Sequence, residues 1–333
     1  MAIASPPRRR ILTALALGGS LLLTACGSGT PSAAPATSGG ELRVVTSTTV
    51  YSSLVAEVLG DRGEVQALIE SSAQDPHSYE ASSRDKLRLS KANLVVLNGG
   101  GYDAFAEQVV DSLDERPAVL EAYEGEGHTH DHGDEHSDEP AARASATGEG
   151  GAEDSESEHD HGNEHVWYDL HLMEEFAGRI GEELATLDPA GADGYRERAA
   201  QLATELGGLE ERVESLKAAA KGRGYLMTEP VAQSLLEDAG LVNRTPDGLA
   251  EAIEEGDEIS PLALKRAQDA LRSGSVAVLA YNEQTTDEQT ALLEATAREA
   301  GVHVLKVSET PGAEQDYLSW MGATITALEK ALA

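Results

Sequence analysis

The chain contains a single cysteine, Cys26, and few basic residues for its length. One thiol cannot form an intramolecular disulfide, and no thiol is left to bind a metal in the residues that follow it. The 25 Lys and Arg residues are outnumbered by 59 Asp and Glu residues, which gives a formal net charge of −34. A nucleic-acid partner is not expected, because such binding requires a basic surface that displaces phosphate counterions. The sequence also lacks the His-Glu-x-x-His and Gly-x-Ser-x-Gly motifs of common hydrolases.

The N-terminus has the pattern of a bacterial export signal. Three arginines at 8–10 precede an apolar stretch at 11–25, which is too short to span a membrane comfortably. The stretch leads into Cys26 through a tetrapeptide that resembles the lipobox of bacterial lipoproteins, where cleavage frees the cysteine to carry lipid. A plain secretory signal with a chance cysteine, or an uncleaved anchor, is the alternative. We predict a signal peptide at 1–25, lipidation at Cys26, a flexible tether at 26–40 and an extracytoplasmic protein anchored to the bacterial cell membrane.

Residues 124–164 are crowded with histidines and carboxylates. They include fourteen acidic residues and one basic residue, and no aliphatic run interrupts them. Such a tract cannot bury enough apolar surface to offset its ordering entropy, so it is predicted to be a disordered loop. Imidazole nitrogens together with carboxylate oxygens suit zinc and its transition-metal neighbours. The candidate accessory ligands, of low affinity, are the six histidines of the tract: His128, His130, His132, His136, His159 and His161.

Strand-like and helix-like segments alternate in two separate parts of the chain. In the first part, predicted strands at 42–47, 65–69 and 94–98 alternate with helices at 51–59 and 85–92. In the second part, strands are predicted at 224–228, 276–280 and 302–307, with helices at 231–239, 261–272, 288–300 and 316–332.

This alternation predicts an α/β fold with two lobes, each a mostly parallel sheet flanked by helices. One long amphipathic helix at about 190–221 is predicted to join the lobes. We predict an N-terminal metal-binding lobe at 41–187 that includes the tract, a linking helix at 188–222 and a C-terminal metal-binding lobe at 223–333. Functional residues are expected in the loops that follow the carboxyl ends of the strands.

Four candidate ligands lie where a strand or the tract has just ended. His77 follows the second predicted strand, and Pro76 stiffens the loop that presents it. His165 is the first residue of folded sequence after the tract, and Glu229 and Glu309 each follow a strand of the second lobe. Each residue also has a plainer interpretation: a surface histidine, a carboxylate stabilised by a helix dipole, or a solvated loop acid.

Together with these residues, several motifs make the chain resemble the metal-specific solute-binding lipoproteins of ABC importers, the group that delivers zinc or manganese. The similarity covers nearly all of residues 42–333. It rests on the hexapeptide Asp75-Pro76-His77-Ser78-Tyr79-Glu80, the segment Asn98-Gly99-Gly100-Gly101-Tyr102-Asp103, the motif His165-Val166-Trp167, the segment Glu258-Ile259-Ser260-Pro261, the acidic histidine loop and the long helix.

The resemblance implies one divalent ion held between the lobes by His77, His165, Glu229 and Glu309, with Glu283 as an alternative to Glu309. Two imidazoles and two carboxylates suit tetrahedral Zn²⁺, or five-coordinate Mn²⁺ if one carboxylate is bidentate. Zinc-type members more often have a third histidine where Glu229 stands, and aspartate is common where Glu309 stands. The implied protein is a monomeric, non-enzymatic carrier that delivers its ion, most simply Zn²⁺, to a membrane ABC permease and its ATPase. A manganese carrier of the same family, a secreted metal-dependent hydrolase and an adhesin are the alternatives.

Five further residues receive supporting or plain interpretations. Asp103, Tyr79 and Asn282 are candidates for orienting the ligands through hydrogen bonds. His171, near a predicted helix start, is interpreted as an exposed or capping residue. His303, within an apolar strand, is interpreted as a core histidine.

Overall fold

The computed structural model describes residues 41–71, 74, 76–123, 163–312 and 315–333, all of which fall within one compact unit. The predicted signal peptide and tether lie outside the described residues. So do the predicted lipidation site, Cys26, and the candidate accessory ligands, which are His128, His130, His132, His136, His159 and His161.

The first half of the described chain is built on a four-stranded parallel sheet. Its strands have the order β2-β1-β3-β4, and every pairing is parallel. The strands are β1 (Leu42–Thr48), β2 (Gly63–Ile69), β3 (Leu94–Gly99) and β4 (Ala118–Tyr123), and the helices between them are α1 (Thr49–Leu59), α2 (Ser83–Leu89) and α3 (Ala104–Asp111). All six residues of β3 are buried, as a central parallel strand covered on both faces requires.

The second half repeats this arrangement. Its strand order is β6-β5-β7-β8, again with parallel pairings throughout. The strands are β5 (Gly224–Met227), β6 (Val242–Asn243), β7 (Val276–Asn282) and β8 (His303–Val307). The helices of this half are α7 (Gln233–Asp238), α8 (Ala250–Glu254), α9 (Pro261–Arg272), α10 (Glu288–Ala300) and α11 (Tyr317–Leu332). The carboxyl ends of both sets of strands supply the loops that carry the candidate ligands.

Three helices connect the halves: α4 (Leu170–Leu187), α5 (Ala192–Ser215) and α6 (Lys217–Ala220). The predicted linking helix is α5, although it is shorter than expected because the helix ends at Ser215 and a separate short helix follows. It packs along α4, for which the sequence predicted only a start near His171, and contacts α1 of the first half and α11 of the second. A methyl group added at Gly181 of α4 would lie only 2.7 Å from Cβ of Ala199 in α5. Glycine at this position therefore permits α4 and α5 to pack closely.

The largest hydrophobic cluster is shared by the two halves. It runs from Leu42 in β1 to Leu332 in α11, and it includes the fully buried Trp167, Tyr168 and Tyr317. The expected fold class, two parallel sheets flanked by helices and joined through a long helix, is confirmed. Within the described ranges, no helix has the length and apolar character needed to cross a membrane.

Candidate metal centre

Two imidazoles and several carboxylates meet between the carboxyl edges of the two sheets. His77 lies in the loop after β2, His165 precedes the short turn that leads into α4, and Glu309 follows β8. Nε2 of His77 lies 3.6 Å from Oε1 of Glu309, and Nε2 of His165 lies 3.8 Å from the same oxygen. The structure therefore brings together three of the four predicted ligands around one carboxylate oxygen.

The orientation of the His165 imidazole is set by its neighbour, Asn163. The amide oxygen of Asn163 accepts a hydrogen bond from the backbone N–H of His165 at 3.0 Å, while its amide nitrogen donates to the carbonyl of Pro230 at 3.0 Å. Nδ1 of His165 lies 3.0 Å from the same amide oxygen, and since that oxygen can only accept, Nδ1 carries the proton. Nε2 is the ring nitrogen that faces the carboxylates of Glu254 and Glu309. It is buried and makes no hydrogen bond to any described residue.

Aromatic rings hold the His165 imidazole in place. Its ring centroid lies 5.2 Å from that of Trp167 and 6.0 Å from that of Tyr102, both in edge-on arrangements. The residue is only 1% exposed. The packing of Trp167 and Tyr102 against the ring limits the orientations that it can adopt.

His77 is the more accessible imidazole. Its side chain is 23% exposed and borders an open pocket of about 650 Å³. Nδ1 lies 3.5 Å from Oε1 of Glu164, and the ring meets Tyr102 edge-on at 5.3 Å. Burial acts to lower the pKa of His77, but the interaction with Glu309 and the charges of Glu164 and Glu254 outweigh it and raise the pKa to about 9. In the metal-free protein this imidazole therefore holds a proton that a metal would displace.

Glu309 is held so that one oxygen faces both imidazoles. The Tyr102 hydroxyl donates to Oε2 at 2.7 Å, and the backbone N–H of Glu309 donates to Oε1 of Gln284 at 2.5 Å. Burial acts to raise the pKa of Glu309, but the interactions with His165 and His77 outweigh it and hold the pKa below its usual range. Glu309 is therefore ionised although it is only 2% exposed.

Glu229 lies close by, after β5, with one oxygen left unpartnered. The Asn282 amide donates to its Oε2, whereas Oε1 is buried and has no hydrogen-bond partner among the described residues. Burial raises the pKa of Glu229, and the charge of Glu309 adds to this. A buried carboxylate oxygen without a partner is costly unless a cation or a proton satisfies it.

A carboxylate that the sequence reasoning missed, Glu254, joins the group from α8. Its Oε1 lies 3.5 Å from Nε2 of His165, and donor atoms of His77, His165 and Glu254 all lie within 4.8 Å of one another. Burial raises the pKa of Glu254 to about 7, against the opposing effect of the two imidazoles. The sequence did contain a signal for it. Ala250 and Ile253 are apolar at helical spacing, so position 254 lies beside their inward face.

The remaining candidates fall outside the cluster. Glu283, the alternative to Glu309, forms a surface ion pair with Lys306, and its side chain is 52% exposed. His303 is exposed, so its interpretation as a core histidine is wrong. Among the described strands, β8 lies at the edge of its sheet and pairs with β7 alone. His171 is exposed at the start of α4, as expected, with Asp169 as the capping residue.

The supporting roles of the three other candidates differ. Asn282 contacts Glu229 directly, as described above. Asp103 accepts hydrogen bonds from the backbone N–H groups of Asn98 and Gly99 at 2.6 and 3.1 Å, and so shapes the glycine-rich turn before Tyr102. The Tyr79 hydroxyl donates to Asp85 rather than to a candidate ligand.

The electrostatics of the cluster favour a cation. Carboxylates of Glu164, Glu229, Glu254 and Glu309 surround two imidazoles, and among the residues described no lysine or arginine pairs with any of them. Nitrogen and oxygen donors in this combination suit zinc, manganese and their neighbours. The fold and the site together define a two-sheet α/β protein with a cluster of imidazoles and carboxylates between its halves.

Residues 44–331 match the family model described as the zinc-uptake complex component A, periplasmic (ZnuA), and the chain belongs to that family. The expected membership of the metal-specific solute-binding group is confirmed.

Two sequence relatives agree with this assignment, and a solved structure shares the fold. The chain is 24% identical over 290 residues to the metal ABC transporter substrate-binding lipoprotein FimA of Streptococcus parasanguinis, which covers 84% of each protein. It is 28% identical over 258 residues to the high-affinity zinc uptake system protein ZnuA of Paracoccus denitrificans, covering 74% of this chain and 77% of that protein. The structure of the laminin-binding protein Lmb of Streptococcus agalactiae superposes with a TM-score of 0.66 at 22% identity, covering 88% of this chain and 100% of that one, and shows the shared fold.

The names of the two sequence relatives describe substrate-binding or uptake proteins rather than enzymes. At the level of the family, this agrees with the expectation that the chain is a carrier.

Proposed function

We propose that the protein is the extracytoplasmic substrate-binding component of a metal ABC importer. It captures one divalent transition-metal ion between its two halves and, as a monomer, delivers the ion to a membrane permease and its ATPase. One observation carries the proposal: Nε2 of His165 and Oε1 of the buried Glu309, which belong to different halves, lie 3.8 Å apart, and the buried Nε2 makes no hydrogen bond to a described residue. This spacing is too long for a hydrogen bond and fits two ligands of one ion.

The proposed ligands are His77, His165, Glu229 and Glu309. Zn²⁺ is the favoured ion because the histidine-rich tract adds a donor set of the zinc type. The carboxylates at 229 and 309 also suit Mn²⁺, which is the competing assignment.

Metal titration of residues 27–333 tests the proposal. Calorimetry and elemental analysis should show one tight site that is lost in His77→Ala and His165→Ala. The exposed His171→Ala is the matched control and should retain it, as should a variant that lacks residues 124–161, because the tract is proposed only as an accessory collector. If His77→Ala left the tightest binding step intact, the proposed site would be wrong.

We also propose that lipid on Cys26 anchors the protein to the outer face of the cell membrane. The signal-like sequence before Cys26 and the lipoprotein name of FimA support this. A Cys26→Ala variant should lose metabolic labelling with palmitate and leave the membrane fraction. Unchanged labelling would contradict the anchor.

A further inference from the structure

We propose that Glu254 is a fifth side-chain ligand of the bound ion, and that it shifts the preference of the site from Zn²⁺ toward Mn²⁺. This inference rests on the proposed function, since it concerns the same ion. The residue lies on α8 of the second half, in a run of acidic residues that the sequence alone does not distinguish.

The first support is the spacing of the donor atoms. Oε1 of Glu254 lies 3.5 Å from Nε2 of His165, which is close to the 3.6 and 3.8 Å that separate Glu309 from the two imidazoles. Hydrogen bonds of this type are about 2.7–3.2 Å long. Two ligands bound to one ion at about 2.0–2.2 Å each stand roughly 3–4 Å apart, depending on the angle between them. All three separations therefore fit a shared ion better than direct hydrogen bonds.

The second support is the contrast between Glu254 and its acidic neighbours. Among the acids of this run, Glu254 alone is partly buried, with a side chain 22% exposed. The exposed acids are Glu251, Glu255, Asp257 and Glu258. A carboxylate moved from water toward two other acidic side chains is destabilising unless a cation compensates it. A bound ion supplies that compensation at this position and at none of its neighbours.

The third support is the rigidity with which α8 presents Glu254. Gly256 ends the helix in a left-handed conformation with φ of 73°, and its N–H donates to the carbonyl of Ile253 at 3.1 Å. The N–H of Asp257 donates to the carbonyl of Ala252 at 2.7 Å, which completes a Schellman motif. Beyond it, Gln289 bonds both the N–H and the carbonyl of Ile259, at 3.0 and 3.3 Å. These hydrogen bonds fix the backbone at the end of α8 and in the segment that follows, and they thereby fix the position of Glu254.

The shift in selectivity follows from the number and type of ligands. Zn²⁺ is most often tetrahedral in closed protein sites, whereas Mn²⁺ accepts more ligands and prefers carboxylate oxygen. A third carboxylate beside Glu229 and Glu309 adds a hard oxygen and raises the coordination number. Both changes favour Mn²⁺ relative to Zn²⁺.

The test compares Glu254→Gln with Glu255→Gln in the mature chain. The two variants remove the same charge from adjacent positions of the same segment, but Glu255 is exposed. Zn²⁺ and Mn²⁺ affinities are measured by competition with a chromophoric chelator, and Mn²⁺ binding also by electron paramagnetic resonance. We expect Glu254→Gln to weaken Mn²⁺ binding by about tenfold or more, a loss typical of residues that hold a metal site, and Zn²⁺ binding by clearly less. Glu255→Gln should match wild type for both ions.

Absorption of the Co²⁺-loaded protein gives a readout that a merely structural role would not change. Loss of a ligand lowers the coordination number, so the visible bands of Co²⁺ should intensify in Glu254→Gln and stay unchanged in Glu255→Gln. If Glu254→Gln behaves like Glu255→Gln in affinity and spectrum, Glu254 is not a ligand. Equal losses for Zn²⁺ and Mn²⁺ would refute the effect on selectivity. If wild-type protein binds neither ion, the proposed function itself fails, which is distinguishable from both of these outcomes.

Discussion

Glu254→Gln should stabilise the metal-free protein at neutral pH while it weakens metal binding. The physical reason is that Glu254 is partly buried beside other carboxylates, and burial raises its pKa from 4.5 to about 7. Because the folded-state pKa is raised, the native protein binds more protons than the unfolded chain between these two pH values. The stability of the wild-type protein therefore falls as the pH rises through this window. Glutamine has nearly the same shape and cannot ionise, so the variant avoids this loss.

The structure sets the size of the effect. At pH 7 the difference between the two pKa values corresponds to at most about 3 kcal/mol. The side chain is 22% exposed, and solvent screens its charge, so we expect about 1–2 kcal/mol. Near pH 4.5 the group is largely protonated in the folded state, and the difference between wild type and variant should become small.

Urea unfolding in the presence of a chelator measures this difference. Wild type, Glu254→Gln and the exposed control Glu255→Gln are compared at about pH 5, 6 and 7. We expect the free energy of unfolding of Glu254→Gln to exceed that of wild type increasingly with pH, while the control stays within a few tenths of a kcal/mol of wild type. A variant that is less stable than wild type at pH 7, or a gap that does not change with pH, would refute the reasoning.

Two further predictions concern proton release and helix packing. Since the pKa of His77 is raised to about 9 in the metal-free protein, metal binding at pH 7 should release about one proton from it. Calorimetry in buffers of different ionisation enthalpy measures this proton release. The metal affinity should also rise with pH up to about 9. A His77→Ala protein that released the same proton would contradict the assignment. In α4, Gly181→Ala places a methyl group 2.7 Å from Cβ of Ala199 and should cost about 1–3 kcal/mol. Gly178→Ala in the same helix faces open space and should stabilise the folded protein by up to about 1 kcal/mol. Urea unfolding measures both variants, and a shift of both stabilities in the same direction would argue against this packing.

Much of the fold is predictable because its local signals agree with one another. The predicted helices at 261–272 and 288–300 have the observed bounds of α9 and α10, each of which begins with a capping side chain, Ser260 and Asp287. The short strand β6 has only two residues, both exposed, and it carries no hydrophobic pattern that would reveal it. Only the start of α4, near His171, is predicted, although Met173, Ile180 and Leu184 are among the buried residues that recur along it at helical spacing.

The site is only partly predictable, for a different reason. His77, His165 and Glu309 follow strands or the tract, and position along the chain suffices to propose them. Glu254 lies on a helix within an acidic run, so its role depends on how the second half folds back toward His165. That placement is a tertiary contact, which no local pattern specifies. The choice between Glu309 and Glu283 also required the structure, since both follow strands and only their surroundings differ.

The halves are joined by buried contacts that do not involve the candidate ligands. The Tyr317 hydroxyl donates to the carbonyl of Trp167 at 2.6 Å, and the Tyr168 hydroxyl donates to the carbonyl of Ser308 at 3.0 Å. The largest hydrophobic cluster also includes residues of both halves. Wide separation of the halves would expose this cluster and leave buried polar groups without partners, at a cost of about 1–3 kcal/mol for each such group. Under the proposed function, we therefore expect ion entry and release to depend on smaller, local movements.

The exposure of the proposed ligands indicates which of them solvent or a partner can reach. His165 and Glu309 have side chains only 1% and 3% exposed, and each is held by aromatic packing or hydrogen bonds. His77 and Glu254 retain 23% and 22% exposure, and they lie on the loop after β2 and on the five-residue helix α8. A carrier has to bind its ion tightly and also release it to a partner. Under the proposed function we expect His165 and Glu309 to hold the ion in a fixed position. His77 and Glu254, which are more exposed, are expected to exchange it with solvent or permease without disrupting the shared core.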